Sequence, residues 1–164
     1  MLSLYFLVEN HKSGKYMRKP TKYFIAFTSI LISAFLFDTI STYYALFLPF
    51  CFEHNPYVRW FIQNLGRQIG LLTSFFIWTT IYVGMLFLFD SAKLYITEGA
   101  FSISLGFGHF LAGISNTSIY FNILWIHIAL RDFLLIVENE GLLLIPTALT
   151  LLAEAIIKLV IKKS

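Results

Sequence analysis

Apolar residues fill five stretches of the chain, 23–48, 71–89, about 100–115, 119–137 and 142–161, and short polar connectors separate them. At a helical rise of about 1.5 Å per residue, the first stretch alone is long enough to cross a bilayer. The pattern predicts an all-α fold, a polytopic membrane helix bundle of four to five transmembrane helices. Residues 23–164 form its single transmembrane domain, and 1–22 a basic cytoplasmic segment in which 1–8 lies along the membrane. Pro49 removes a backbone donor and should end the first span, and Asn55-Pro56 reads as a turn. Residues 57–68 mix Trp60 and Phe61 with Arg59, Gln63 and Arg67, as expected of a segment at the outer headgroup level.

The first run holds an ionisable group. In FDTISTYYALFLPFCFEHNP (37–56), Asp38 lies well inside the span, and an ionisable side chain there costs at least about 2.5 kcal/mol. On a helical wheel Ala34, Ser41, Thr42 and Ala45 share its side, so Asp38 is expected to face a neighbouring helix. The third run offers the matching face. Ser102, Gly106, His109, Gly113 and Asn116 form a small-polar groove, with His109 bracketed by glycines that admit another backbone.

The remaining connectors set the topology. Residues 90–99 read as a polar link on the cytoplasmic side, 116–118 as a tight turn, and Asn139-Glu140-Gly141 as a helix break. Arg131 is placed to snorkel to the headgroups, and Glu154 and Lys158 form an i,i+4 pair on a polar stripe with Thr147 and Thr150. Five crossings would put the C-terminus outside, yet Lys158, Lys162 and Lys163 favour the inside. A merged or re-entrant segment between 116 and 137 would remove that conflict.

Composition strengthens the membrane reading. The 164 residues are 58% hydrophobic and 13% charged, with a mean hydropathy of +0.75, against about 25% charged in soluble domains. Little chain remains for a separate soluble catalytic domain. Cys51 is the single cysteine, so no intramolecular disulfide and no C-x-x-C site can form. Lys12, Lys15, Arg18, Lys19 and Lys22 precede the first span and supply most of the net charge of +3. Such a cluster orients the N-terminus to the cytoplasm and touches anionic lipid headgroups rather than nucleic acid. The expected location is the cell membrane, with multiple passes.

The chemistry-bearing residues form one constellation. Asp38, Glu53, His109 and Asn116, supported by Thr42 and Asn55, are a ligand set for a divalent metal ion of the Mg, Mn or Zn kind, a bend at Pro49 folding Glu53 back over Asp38. The same groups suit a proton relay, or a structural cluster in which His109 simply bonds Asp38. The functional expectation is a buried polar site for a divalent cation, a proton or a small polar group, in a transporter or an intramembrane enzyme. The alternative is a structural subunit or assembly partner of a larger membrane complex, with membrane-protein partners or a second copy of itself. Cys51 and His54 suggest an activated thiolate, but without an oxyanion hole in view.

The pattern Asp38-x-x-x-Thr42-Tyr43, then Glu53-x-Asn55-Pro56, Arg59 and Gly66, resembles a family of small prokaryotic integral membrane proteins of unknown function. The resemblance covers 37 to about 70, a third of the chain. It implies that Asp38, Thr42, Glu53, Asn55 and Pro56 matter, and it brings no mechanism.

Overall fold

A computed structural model of the chain describes residues 20–49, 51–139 and 141–161, with side chains for all but 137–139. The basic residues from Lys12 to Lys19, the segment 1–8, and Lys162 and Lys163 fall outside the described residues. Within them the fold is all-helical. Helix α1 is Lys22–Ala45, α2 Pro56–Leu65, α3 Arg67–Ser91, α4 Tyr95–Tyr120, α5 Leu124–Asn139 and α6 Ile145–Ile161, the last preceded by a 3-10 turn, Leu142–Leu144. Three segments are long and apolar enough to cross a membrane: α1, α3 and Leu142–Ile161.

Local chemistry sets the boundaries. Thr21 caps α1, its hydroxyl accepting from the Phe24 amide. Asn55 caps α2 by accepting from the Tyr57 and Val58 amides, and Pro56 stands where a missing N–H does no harm. Gly66 then separates α2 from α3 at φ 80°, a left-handed conformation that favours glycine.

Helix α4, the third of the predicted spans, departs from the sequence expectation at both ends. It begins at Tyr95 because the link 90–99 shrinks to a turn, with Lys93 at φ 57° and the Leu94 amide bonded to the Phe89 carbonyl. The expected turn at 116–118 is helical. Thr117 and Ser118 donate their hydroxyls to the Gly113 and Ile114 carbonyls within the helix, so they need no turn to be satisfied. The chain reverses instead around Asn122, at φ 61°.

Helix α4 is the centre of the bundle, with α1, α5 and α6 packed along it. That position explains its polarity: its buried positions are mostly small or polar, Thr97, Glu98, Gly99, Ser102, Gly106, Gly108, Gly113, Ser115 and Ser118 among them. Small residues let neighbours approach. Ser102 donates to the Phe27 carbonyl of α1 at 2.6 Å, and Gly99 and Gly113 lie under the rings of Phe27 and Phe37. Gly106 has more room, since a methyl there would meet Ile30 at 3.7 Å. Leu31, Leu86, Phe89 and Phe101 form an apolar core between α1, α3 and α4.

Side-chain bonds identify which ends meet. Thr21, ahead of α1, donates to Asp90 at the end of α3. Glu154 of α6 accepts from the Ile96 amide at 3.1 Å, the Thr97 amide at 3.0 Å and the Thr97 hydroxyl at 2.6 Å. Lys158 donates to the Ala92 and Lys93 carbonyls at 2.7 and 3.1 Å. The pair foreseen as one i,i+4 bridge therefore serves two helix termini: the carboxylate takes orphan amides of α4, and the ammonium takes orphan carbonyls after α3. At the opposite end Gln68 donates to Tyr43, and Ser115 meets His127. Leu143 packs on Gly108, midway along α4. Helices α5 and α6 thus follow α4 in turn, broken at Gly141 (φ 63°), so that Pro20 and Ile161 lie at the same end.

Glu154→Ala should lower stability by about 2 kcal/mol, because it strips a charged acceptor from three donors. Thermal unfolding in detergent measures this against Leu152→Ala, whose side chain is on the outer surface. Equal unfolding temperatures for the two variants would show that α6 does not hold the α3–α4 turn.

Candidate functional site

Asp38 and His109 meet across the α1–α4 interface, with Nδ1 of the imidazole 2.9 Å from Oδ2. The other carboxylate oxygen accepts from Asn116 Nδ2 at 3.3 Å and faces the Thr42 hydroxyl at 3.4 Å. Asn116 also donates to Thr42 Oγ1 at 2.8 Å, closing the network. The helical period accounts for this assembly: Thr42 is one turn beyond Asp38, and Asn116 two turns beyond His109. An ionised carboxylate only accepts, so Nδ1 donates to it, and in the neutral imidazole Nε2 then keeps a lone pair. Phe35 and Tyr82 pack on the imidazole, with ring centroids at 4.4 and 5.9 Å. The pair is neither sealed nor open, its side chains being 21% and 17% exposed for His109 and Asp38.

The network borders a cavity of about 330 Å³. Helix α1 contributes Asp38 and Thr42, α3 Ser74, Trp78 and Tyr82, α4 His109, Ser115 and Asn116, and α5 His127 and Arg131. The strap between Pro49 and Pro56 adds Phe52, Glu53, His54 and Asn55, and α2 adds Tyr57 and Val58. Arg59 reaches back from α2 to hold the strap, donating to the Glu53 carbonyl at 2.7 Å and the His54 carbonyl at 3.3 Å, and covering the Phe52 ring. Helix α2 rests in turn on Gly70 of α3, where a Cβ would lie 2.6 Å from the Phe61 and Ile62 backbone.

Four of the six anticipated residues, Asp38, Thr42, His109 and Asn116, form one bonded network. Glu53 and Asn55 line the same cavity without joining it. The Glu53 carboxylate accepts from the Asn55 amide at 2.8 Å, and the Asn55 side chain caps α2. Among the described residues no three His, Cys, Asp or Glu side chains converge to hold a metal ion. Of the anticipated cation ligands only Asp38 and His109 touch each other, and the strap's own turn engages the Glu53 carboxylate. Asn116 likewise presents its amide nitrogen to Asp38 and Thr42, as a donor rather than an oxygen ligand. Burial pushes the Cys51 thiol upward, which does not favour a thiolate there.

Sequence reasoning overlooked the cavity's second wall. His127 Nδ1 lies 2.9 Å from the hydroxyl of buried Ser115, and Arg131, expected at the headgroups, lines the cavity. The spacing of His127, Arg131 and buried Leu134 on one face of α5 was the available signal. At the mouth, burial and then the charges of Arg59 and Arg131 hold the His54 imidazole below its ordinary range. Glu98, at the other end of α4, is fully enclosed, and neither carboxyl oxygen has a hydrogen-bond partner among the described residues.

No protein-family model, no curated protein and no solved structure matches the chain.

Asp38→Asn should abolish the fixed orientation of His109. Nitrogen-15 NMR of histidine-labelled protein is expected to show the Nδ1–H tautomer in the wild type and mixed tautomers in the variant. An unchanged tautomer would mean that Asp38 does not position the ring.

Proposed function

We propose that the protein is a multi-pass membrane protein whose cavity binds a small polar ligand, and that His109, oriented by Asp38, exchanges a proton with it. The observation that carries this reading is the closed Asp38–His109–Asn116–Thr42 network bordering a cavity, with no partner for Nε2 of His109 among the described residues. Asp38 would steady the imidazolium that forms when Nε2 takes a proton, while Asn116 and Thr42 hold the carboxylate still. The apolar core of Leu31, Leu86, Phe89 and Phe101 fills the α1–α3–α4 interface toward the other end. That favours a dead-end site, of the kind an intramembrane enzyme or receptor uses, over a continuous pore.

In this reading α1, α3 and α4 each cross the bilayer, and α5 with α6 makes the fourth crossing as one broken element. At about 1.5 Å per residue the 26 residues of α4 reach about 39 Å, ample for a span. Four crossings return Lys158 to the side of Lys22, so the basic residues at both ends of the chain agree on a cytoplasmic location. The strap and α2 then lie at the outer surface.

A second reading has its own observation. The network bonds its four members to one another and joins α1 to α4, as helix glue in a structural subunit would. Purification separates the two: a subunit brings a stoichiometric partner, and a self-contained binder is homogeneous. Thermal-shift measurements with small amines, carboxylates and phosphate esters test the ligand directly. At least one compound is expected to stabilise the wild type and to lose its effect in His109→Gln. A panel with no stabilising member, together with a co-purifying partner, would sink the binding reading.

Orientation is tested with Asn64→Cys in a Cys51→Ser background. An impermeant thiol reagent should label intact cells, whereas labelling only after lysis would reverse the topology.

A further inference from the structure

The cavity wall formed by the strap and α5 is basic. His54 comes from the strap, and His127 and Arg131 from successive turns of α5; all three line the same space. They also feel one another: Arg131 acts electrostatically on both imidazoles, and His54 acts on His127. Arg59 adds a further positive charge behind the strap, within reach of His54. Asp132 is the carboxylate bonded to Arg131, taking Nε at 2.9 Å and one terminal nitrogen at 2.7 Å on a single oxygen. That leaves the second terminal nitrogen of the guanidinium uncommitted among the described residues. Nδ1 of His127 lies 2.9 Å from the Ser115 hydroxyl, and Nε2 is a donor in the tautomer that accepts there and in the protonated ring.

One guanidinium and the N–H donors of two imidazoles share a partly desolvated space, an arrangement that an anion would complete. The donors come from two directions, the strap and two turns of α5, and the guanidinium fork suits oxyanions. A planar carboxylate offers two oxygens to such a set; a phosphate group offers three.

We propose that His54, His127 and Arg131 form an anion subsite that takes a phosphate group, the far end of a ligand whose reacting part reaches His109. The proposal rests on the reading that the cavity binds a ligand, and it narrows that ligand to phosphate-bearing compounds. His54 and Asn55 are exposed at the strap, so the site is reachable by a soluble phosphate compound or by a phospholipid headgroup from the adjoining leaflet.

The test uses the full chain purified in detergent free of phospholipid. Glycerol phosphate and a short-chain phosphatidic acid are titrated separately by calorimetry, and carbethoxylation of His54 and His127 is followed by mass spectrometry. Binding of at least one probe is expected, with protection of both histidines. Arg131→Gln and His127→Gln should each weaken that binding about tenfold or more, the effect of losing a charge-assisted hydrogen bond. Binding of glycerol phosphate identifies a soluble ligand, and binding of phosphatidic acid alone identifies a headgroup; either supports the subsite. Should Arg131→Gln fail to fold, His127→Gln and His54→Asn carry the same comparison. If a bound probe is held equally by wild type and variants, or no probe binds while another compound of the small-molecule panel does, the subsite falls and the Asp38–His109 reading stands. If neither the probes nor the panel binds, both fall.

Discussion

A carboxylate inside an apolar helix has to be answered by another helix, and the arrangement of this protein follows from how Asp38 is answered. His109 meets it at 2.9 Å, which sets the register of α1 against α4. Every other contact along that interface respects the register: Ser102 reaches the Phe27 carbonyl, Gly106 passes over Ile30 and Ala34, and Asn116 arrives at Thr42. Sliding either helix by one residue would turn these groups through about 100°, leaving a buried carboxylate without its donors.

The same requirement, that buried backbone and side-chain polar groups find partners, closes the other end of the bundle. The α3–α4 turn exposes carbonyls on one side and amides on the other. Lys158 and Glu154, one turn apart on α6, supply the ammonium and the carboxylate that these groups need. A short connector is thereby held against the last helix by charge and dipole acting together. The opposite end is built more loosely, from a strap that Arg59 ties down and a helix resting on Gly70. The polar cavity lies under that looser cover, while the tightly capped end holds the apolar core.

Within the cavity the two walls differ in chemistry. One carries the Asp38–His109 pair with its amide and hydroxyl supports; the other carries two imidazoles and a guanidinium. Polar groups on both walls of a small, partly desolvated space suit a ligand that is itself polar at both ends. Glu53 borders this space, yet its bond to the Asn55 amide ties it to the geometry of the strap.

Read alone, the chain determined its helical and membrane character, since hydrophobic runs of that length and so few charges leave no other solvent for its surface. The helical period also determined the pairing of Asp38 and Thr42 with His109 and Asn116, because the polar faces of two apolar helices must find each other. Where tertiary structure decided, the reasons were of longer range. Glu53 was engaged by its own turn; Glu154 and Lys158 were drawn apart to two helix termini. Helix α4 gained turns at both ends because its hydroxyls could bond within it and its neighbours shielded it. His127 and Arg131 became a cavity wall through the break at Gly141, which lets α5 and α6 follow α4 in sequence. One-dimensional periodicity shows which face of a helix is polar, but not which of several polar faces will meet, since that depends on where the intervening turns place the helix ends.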